Sequence, residues 1–306
     1  MTAAPFQAIL IERGVVVLDG GLGTELDRRG VDLRDPLWSA RALVESPDVI
    51  RDVHAAYFDA GADVAISASY QASFEGLAAR GLGREVASAL FRRSVELARE
   101  AASAATGRRL VAASVGPYGA FLGNGAEYTG DYDRDEAGLL EFHAPRLEAL
   151  AEAAPDLFAV ETIPSIVEAG SLVRALERVP EVPAWMSFSC RDGAHLCDGT
   201  PFERAVEVAT SSKGVVAVGV NCTSPLHVTA LVEIAAARTS LPVVCYPNRG
   251  AFWDPLRKVW VEPPRQDARP SLRPLEWQEA GARVIGGCCG TTPEDIAAIA
   301  GALRAA

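Results

Sequence analysis

The chain has 306 residues, of which 49% are hydrophobic and 23% charged, so it can bury a large core as one α/β barrel or two average domains. Its formal net charge of -11 argues against binding to nucleic acid or to an anionic membrane, because phosphate groups require a basic face. The sequence shows no signal-peptide pattern, and no apolar run reaches the ~18 residues of a membrane span. We therefore expect a cytoplasmic protein with reduced thiols.

Short apolar, β-rich segments alternate with longer amphipathic segments along the chain. Continuous apolar runs are typical of strands that are buried on both faces. We predict strands at 15–19, 63–69, 109–115, 156–161, 183–189, 215–221, 241–246 and 283–287. The helices predicted between them cover 47–60, 84–105, 134–153, 165–178, 201–211, 225–238 and 293–304. Eight strand–helix units predict a (β/α)8 TIM barrel, with residues 1–306 as one domain and a doubly wound sheet as the alternative.

Two features of the connections add detail to this prediction. Gly61 and Gly281 follow helices in the similar sequences DAGADV and EAGARV, where a glycine can adopt the left-handed conformation that ends a helix. The stretch 249–272 is long and proline-rich and contains two tryptophans. It is predicted as an extended loop after the seventh strand, either a lid or a surface excursion.

Three cysteines are predicted at one end of the barrel, where barrel enzymes carry their chemistry. Cys222 follows the sixth strand, and Cys288 and Cys289 follow the eighth, so that only the seventh strand lies between them. Strand ends two spacings apart are separated by about 10 Å, so the three side chains can reach one ion. Three thiolates leave the fourth tetrahedral position of zinc open, as catalytic sites require. Ordinary buried cysteines and a strained vicinal disulfide are the alternatives.

The remaining cysteines and the histidines do not form a metal pattern. We predict that Cys190, Cys197 and Cys245 are free thiols without a catalytic role, with Cys245 packed inside a strand. No two histidines have the HxH or HxxxH spacing of a metal site, so no histidine is assigned as a ligand.

Acidic residues and glycines lie at two other predicted strand ends. Asp19 ends the first strand and Glu161 ends the fourth, and together they could hold an ammonium group. The backbone N–H groups of Gly20 and Gly21 are suited to a carboxylate. An amino-acid substrate would need both features. The alternative is that each acidic residue caps a turn or a helix.

Longer segments that extend over nearly the whole chain carry a more specific signal. They are LDGGLGTELDRRG (18–30), DPLWSARAL (35–43), VAISASYQAS (64–73), ASVGPYGAFL (113–122), EYTGDY (127–132), VETIP (160–164), DGTP (198–201), GVNC (219–222), VVCYPN (243–248) and GARVIGGCCGTTPEDI (281–296). With these segments the chain resembles the homocysteine S-methyltransferases, most closely the bacterial type that uses S-methylmethionine. GVNC followed by GGCCGTTP is rarely produced by chance.

The resemblance implies a zinc-dependent barrel whose three ligands are Cys222, Cys288 and Cys289. In related betaine-dependent enzymes a tyrosine can take the fourth zinc position without substrate. Tyr70 could play that part here.

The resemblance also implies a site for the amino-acid moiety of homocysteine. Asp19, Glu161 and Asn221 correspond by position to the residues that hold it, and Gly20 and Gly21 would meet its carboxylate. The sequence assigns no catalytic residue beyond the zinc site.

The expected reaction moves a methyl group from S-methylmethionine or S-adenosylmethionine to the thiol of L-homocysteine and gives methionine. Zinc coordination would ionise the thiol, because a free thiol is only slightly ionised at neutral pH. Cation–π contacts could hold the sulfonium, with simple packing as the alternative for each candidate ring. The candidates are Trp38, Tyr118, Tyr128 and Trp253. The chain lacks the length for the folate and cobalamin modules of the large methionine synthases.

Other functions stay open at this point. A methyltransferase of the betaine or selenocysteine type could use the same zinc barrel. The segment GGCCGTT before a helix could cradle a phosphate in a metal-free lyase or isomerase, although it lacks a lysine and contains two thiols. The third alternative is a closed zinc site without catalysis.

Overall fold

The computed structural model describes residues 4–32, 39–250, 252–254, 259–261 and 270–305. Its barrel strands, in chain order, are β1 Val16–Val17, β2 Val64–Ile66, β3 Leu110–Val115, β4 Leu157–Ile163, β5 Ala184–Phe188, β6 Val215–Asn221, β7 Val243–Tyr246 and β10 Ala282–Ile285. Strands β8 Phe252–Asp254 and β9 Val259–Val261 pair with each other as an antiparallel hairpin. Each predicted strand overlaps one of the barrel strands.

The barrel strands form a closed ring. They are hydrogen-bonded in the order β1, β10, β7, β6, β5, β4, β3, β2, and every pair is parallel. A parallel bridge between Leu18 and Val64 joins β1 to β2. A doubly wound sheet would keep two open edges, so the predicted (β/α)8 barrel is confirmed and its alternative is excluded.

Helices follow the strands and surround the barrel. They are α1 Ala4–Arg13, α2 Leu22–Arg28, α3 Ser39–Glu45, α4 Pro47–Asp59, α5 Phe74–Ala78, α6 Arg84–Ala104, α7 Tyr118–Leu122, α8 Glu136–Ala151, α9 Ile166–Leu176, α10 Phe202–Thr210, α11 Pro225–Arg238, α12 Pro274–Ala280 and α13 Pro293–Ala305, with a 3-10 turn at Ala126–Tyr128. Among the described residues, no helix is both long and apolar enough to cross a membrane.

Local sequence explains where several helices begin and end. Ser73, Asp135 and Ser165 each accept a hydrogen bond from a backbone N–H in the first turn of the helix that follows, which satisfies a donor without a helical partner. Gly61 and Gly281 have φ angles of +104° and +122° after α4 and α12, as predicted from the two similar joints.

The apolar core has two layers. An inner cluster fills the barrel and includes Trp185 of β5 and Val244 of β7. Phe6 and Ile9 of α1 join this cluster, so the helix that precedes β1 closes the N-terminal end of the barrel. A larger cluster lies between the strands and the surrounding helices. The opposite, C-terminal end is therefore the end that can admit a ligand.

The N-terminal end is also held together by charge. Asp63, which is 1% exposed, precedes β2 and accepts a hydrogen bond from the Val17 N–H at 3.0 Å. Its Oδ1 lies 3.6 Å from Arg13, 3.7 Å from Arg109 and 3.4 Å from Arg304. One buried carboxylate thus joins the N-terminal helix, the C-terminal helix and the start of β3.

The stretch 249–272 differs from the extended loop that the sequence predicts. Its described part contains the β8–β9 hairpin, in which Trp253 is paired with Trp260. The rest of the stretch, apart from 249–250 and 270–272, lies outside the described residues. Valine and aromatic residues favour strands over irregular loops, which gives a local reason for the hairpin.

Candidate metal and substrate site

Three cysteine side chains meet at the C-terminal end of the barrel. Cys222 directly follows β6, and Cys288 and Cys289 lie just after β10. The Sγ of Cys289 is 3.5 Å from that of Cys222 and 3.9 Å from that of Cys288, and all three sulfurs lie within 4.8 Å of one another. The structure thus brings together the three thiols that the sequence predicts as ligands.

This spacing fits one tetrahedral metal ion. Zinc–sulfur bonds of about 2.3 Å at tetrahedral angles place neighbouring sulfurs roughly 3.8 Å apart. The distances from the Cys289 sulfur to those of Cys222 and Cys288, 3.5 Å and 3.9 Å, are close to that value. Hydrogen bonding with Cys288 and Cys289 lowers the pKa of the Cys222 thiol well below its usual range, so the group ionises most easily at Cys222.

Two tyrosines border the thiol group. The Tyr128 hydroxyl lies 3.2 Å from the Sγ of Cys222. The resemblance suggested Tyr70 for the fourth zinc position. Burial raises the pKa of Tyr70 most, followed by the charge of Glu127 and then that of Cys222, so Tyr70 lies near the thiol group. The structure therefore places Tyr128 in direct contact with the sulfur of Cys222, one of the predicted ligands. The sequence singled out Tyr128 only as one of several aromatic rings.

The predicted acidic pair lies near the thiols. Asp19 is 1% exposed, and its Oδ2 accepts a hydrogen bond from the Ile66 N–H at 2.8 Å. Its Oδ1 has no hydrogen-bond partner among the described residues. Burial raises the pKa of Asp19 well above its usual range, and the negative charge of Glu161 raises it further. A buried carboxylate oxygen without a donor is suited to a cationic ligand group.

Glu161 is already hydrogen-bonded by side chains of other strands. Its Oε1 accepts a short hydrogen bond from Ser114, and its Oε2 lies 3.1 Å from the Tyr246 hydroxyl. Burial raises the pKa of Glu161 to about 7. Each carboxylate oxygen has a further lone pair, so these bonds orient the group and leave it able to accept from a ligand.

The Asn221 side chain is hydrogen-bonded to the backbone of β4. Its Oδ1 accepts from the Thr162 N–H at 2.7 Å and from the Ser187 hydroxyl at 2.9 Å. Its Nδ2 donates to the Thr162 hydroxyl oxygen at 2.7 Å. The next residue along the chain, Cys222, and Thr162 itself have φ angles of 45° and 61°, which is unusual for residues with a Cβ.

Gly20 and Gly21 allow a close approach between the first strand end and the cysteine loop. A Cβ on Gly21 would lie 2.7 Å from the Cys288 carbonyl oxygen. The Gly21 N–H, expected to face a carboxylate, donates to Thr291 Oγ1 at 3.1 Å. The Gly21 amide is satisfied within the protein because Thr291 precedes α13 against this turn. No hydrogen bond of the Gly20 N–H is found among the described residues.

Among the buried charged residues that the sequence analysis did not single out, Glu127 and Arg146 lie close to Tyr70 and Tyr128. Glu127 lies in the 3-10 turn beside Tyr128, with its Oε2 buried and unpartnered within the described part of the chain. Arg146 of α8 is 1% exposed and donates to the carbonyl oxygens of Tyr70 at 3.0 Å and Gly116 at 2.9 Å. For Arg146, no local pattern distinguishes a buried charged residue in the middle of a helix from an exposed one. For Glu127, the segment EYTGDY marked the region but not the role of the residue.

Comparison with known proteins identifies the family. The sequence model described as homocysteine S-methyltransferase matches residues 16–303. The chain belongs to the homocysteine S-methyltransferase family. It is therefore an enzyme of the methyltransferase class.

Individual members of this family match along almost their whole length. Homocysteine S-methyltransferase YbgG of Bacillus subtilis is 45% identical, over 97% of this chain and 96% of that protein. Selenocysteine Se-methyltransferase of Brassica oleracea is 43% identical, over 94% and 88%. The metallated form of the homocysteine methyltransferase MmuM from Escherichia coli superposes with a TM-score of 0.86 at 45% identity, over 97% and 99%.

Other side chains of this homocysteine S-methyltransferase family member lie away from the thiol group. Cys190, Cys197 and Cys245 are free, and they are not part of the metal-compatible cluster found among the described residues. Cys245 is fully buried within β7, where burial raises the pKa of its thiol, as expected for a packing residue.

Among the aromatic rings predicted as candidates for sulfonium binding, Tyr118 also lies away from the thiol group. Tyr118 packs edge-on against Phe142, with ring centroids 5.0 Å apart, and the Arg134 guanidinium covers its ring at 4.3 Å. Its ring is thus occupied by the protein's own cation. Trp38 and the side chain of Trp253 lie outside the described residues.

Proposed function

We propose that the protein is a zinc-dependent homocysteine S-methyltransferase that uses S-methylmethionine as its preferred methyl donor and gives methionine. The observation that carries this proposal is the set of three cysteine sulfurs within 4.8 Å of one another at the open end of the barrel. We further propose that residues 1–306 act as one barrel domain on small-molecule substrates.

Cys222, Cys288 and Cys289 would hold the metal. A set of three thiolates favours zinc over hard cations such as magnesium or calcium, which prefer oxygen ligands. When bound, zinc would supply the positive charge that keeps an acceptor thiol ionised at neutral pH. Three protein ligands leave one position for that thiol, as a catalytic site requires.

Asp19, Glu161 and Asn221 would position the amino-acid part of homocysteine. The unpartnered Oδ1 of Asp19 offers an acceptor for the substrate ammonium. Glu161 adds a second carboxylate whose orientation is fixed by Ser114 and Tyr246. The Gly20 amide is better placed than that of Gly21 to meet the substrate carboxylate, because the Gly21 amide already donates to Thr291.

The reaction needs positioning more than proton transfer. The acceptor thiol loses its proton to solvent, and its thiolate attacks the methyl carbon in line with the carbon–sulfur bond of the sulfonium. The new carbon–sulfur bond forms as the old one breaks, and the electron pair stays on the donor sulfur. Holding both sulfurs in line can contribute roughly 7–11 kcal/mol in favourable cases. Tyr128 and Tyr70 would line the donor side of the thiolate and contact the cation through their rings.

A second candidate function is methyl transfer to the selenol of selenocysteine. The 43% identical Brassica oleracea protein favours it, because its name describes selenocysteine Se-methyltransferase. A betaine-type donor is the corresponding alternative on the donor side.

The deciding experiment incubates zinc-loaded protein with L-homocysteine and equal concentrations of S-methylmethionine, S-adenosylmethionine, betaine or methylfolate, and measures methionine. We expect S-methylmethionine to be fastest, because a sulfonium is a better leaving group than a quaternary amine, and S-adenosylmethionine to be slower because of its bulk. Faster reaction with betaine would overturn the donor. Methionine from none of the donors would overturn the function. Selenocysteine in place of homocysteine tests the second candidate.

A further inference from the structure

The strongest unassigned feature of the site is the Glu127 carboxylate. The side chain is 8% exposed, and its Oε2 has no hydrogen-bond partner among the described residues. Burial raises the pKa of Glu127 to about 7. Among the charges that act on Glu127, that of Cys222 raises its pKa further, and no cationic side chain is found to lower it. A buried carboxylate in this position lacks a counter-ion, which is costly unless a ligand provides one.

The backbone around Glu127 is held firmly. A Cβ on Gly119 of α7 would lie 2.4 Å from the Glu127 N, so the glycine permits close packing of this helix on the 3-10 turn. On the other side, the Ser189 hydroxyl donates to the Glu127 carbonyl at 3.0 Å. The neighbouring Tyr128 hydroxyl lies 3.2 Å from Cys222 Sγ. These contacts fix the backbone of Glu127 in a turn whose next residue, Tyr128, touches the thiol group.

Glu127 and the acidic pair are carried by different elements. Asp19 follows β1 and Glu161 lies in β4, whereas Glu127 lies in the 3-10 turn Ala126–Tyr128 between β3 and β4. Glu127 also raises the pKa of Tyr70, more than any other charge does, so carboxylate and phenol are close neighbours. The Glu127 carboxylate thus lies near the Tyr70 phenol, and Tyr128 is the next residue along the chain. A carboxylate close to aromatic rings is suited to an organic cation.

We propose that Glu127 recognises the positive charge of the methyl donor, so that it selects a sulfonium over the neutral thioether that remains after transfer. The proposal rests on the proposed methyltransferase function. Two cations must be bound near one thiolate, namely the ammonium of the acceptor and the sulfonium of the donor. Asp19 and Glu161 are available for the first, and Glu127 is the remaining buried carboxylate with an unpartnered oxygen beside Cys222.

The charge change during the reaction gives Glu127 a specific effect. The thiolate sulfur forms a bond to the methyl carbon, the methyl–sulfonium bond breaks, and its electron pair neutralises the donor sulfur. The positive charge that Glu127 binds is therefore reduced in the transition state and absent from the product. A group that stabilises the bound donor more than the transition state lowers donor KM without raising kcat. It also leaves the neutral product without a partner, which favours release.

The test compares Glu127→Gln with the matched control Asp131→Asn, which removes the same charge from an exposed residue of the same segment. Binding of S-methylmethionine and of methionine to zinc-loaded protein is measured by calorimetry without homocysteine, and KM and kcat are measured separately. We expect Glu127→Gln to weaken S-methylmethionine binding and raise its KM by at least about tenfold. Methionine binding, homocysteine KM and zinc content should be unchanged, and kcat should not fall. Glu127→Asp should lie between the two, because it keeps the charge at a shorter reach.

Three results would overturn the proposal. The first is equal donor affinity in Glu127→Gln and wild-type protein. The second is a rise in homocysteine KM instead of donor KM, which would place Glu127 in the acceptor site. The third is loss of zinc and of both ligands in Glu127→Asp as well, which would make the residue structural. Wild-type protein that binds the sulfonium through Glu127 but forms no methionine would contradict the proposed function alone.

Discussion

Asn221 at the end of β6 holds Thr162 at the end of β4 by two hydrogen bonds, each of 2.7 Å, across the intervening strand β5. Thr162 and Cys222 both have positive φ angles, at 61° and 45°. Such conformations cost about 1–3 kcal/mol each and persist only where neighbouring contacts enforce them. The Asn221–Thr162 pair therefore fixes the backbone that carries Glu161 on one side and Cys222 on the other.

Replacing Asn221 by Leu should test this coupling. The change keeps the volume but leaves the buried Thr162 N–H without a partner, at a cost of about 1–3 kcal/mol, and removes one hydrogen bond of the Thr162 hydroxyl. We expect a loss of at least about 2 kcal/mol in the free energy of unfolding, measured by urea denaturation. Ser187→Ala, which removes only one of the donors to Asn221, should cost less. Equal stability of Asn221→Leu and wild-type protein would contradict a coupling role.

Replacing Cys288 by Ala should remove most of the bound zinc and the activity. The change removes one of three candidate thiolate ligands, and the two that remain hold a zinc ion much more weakly. Zinc per chain is measured by elemental analysis after dialysis against a weak chelator. Cys197→Ala is the matched control, because Cys197 lies outside the metal-compatible cluster. Full zinc content in Cys288→Ala would refute the assignment of the ligands.

Asp19→Asn should weaken homocysteine binding and leave zinc content normal. The unpartnered Oδ1 of Asp19 is buried, and a neutral amide there cannot balance an ammonium charge. We expect homocysteine KM to rise by at least about tenfold, and Glu161→Gln to act in the same direction. Alkyl thiols without an amino group serve as the control substrates. If they react as well as homocysteine with the wild-type enzyme, neither carboxylate binds an ammonium group.

His54 should make the protein less stable in acid. It is fully buried in α4, neither ring nitrogen has a partner among the described residues, and burial lowers its pKa to about 4. In the unfolded chain His54 takes up a proton near pH 6.5, whereas in the folded chain it does so only near pH 4. The free energy of unfolding therefore decreases as the pH falls from 6.5 to 4. At pH 5 the loss from this group is about 2 kcal/mol.

His54→Leu removes this titration at similar volume. The difference in unfolding free energy between pH 7.5 and pH 5 should be about 2 kcal/mol smaller in the variant than in the wild-type protein. Comparing the two proteins cancels the contributions of other titrating groups. An identical pH dependence in both would show that His54 is protonated in the folded state.

Asp63→Asn should destabilise the barrel without changing the chemistry. Its carboxylate is buried among Arg13, Arg109 and Arg304 at the end opposite to the thiols. The arginines reach solvent, so the cost is that of the lost charge-assisted hydrogen bonds, about 1.5–3 kcal/mol. The exposed pair of Asp48 and Arg51 gives the control, since Asp48→Asn should cost less than about 1 kcal/mol. Both variants should keep the wild-type kcat at a temperature where they are folded.

The sequence by itself determined the strands, the main helices and the fold class. Apolar runs such as 215–221 are local features, and the positions of Gly61 and Gly281 are set by local backbone preference. The three thiols could also be placed in advance, because parallel strands present their C-terminal ends on one rim whatever the details of packing. Motif resemblance supplied the family, which the full-length match confirmed.

Only the tertiary structure decided which side chains meet across that rim. Glu127, Tyr128 and Arg146 lie between strands in the sequence, and nothing local shows whether such residues turn towards the site or the solvent. The Gly21 amide faces Thr291, a residue 270 positions away. Hydrogen bonding and burial depend on distances between segments that are remote along the chain. Periodicity therefore predicts which residues are inside, whereas the partners of a buried polar group are fixed only when the ring of strands closes.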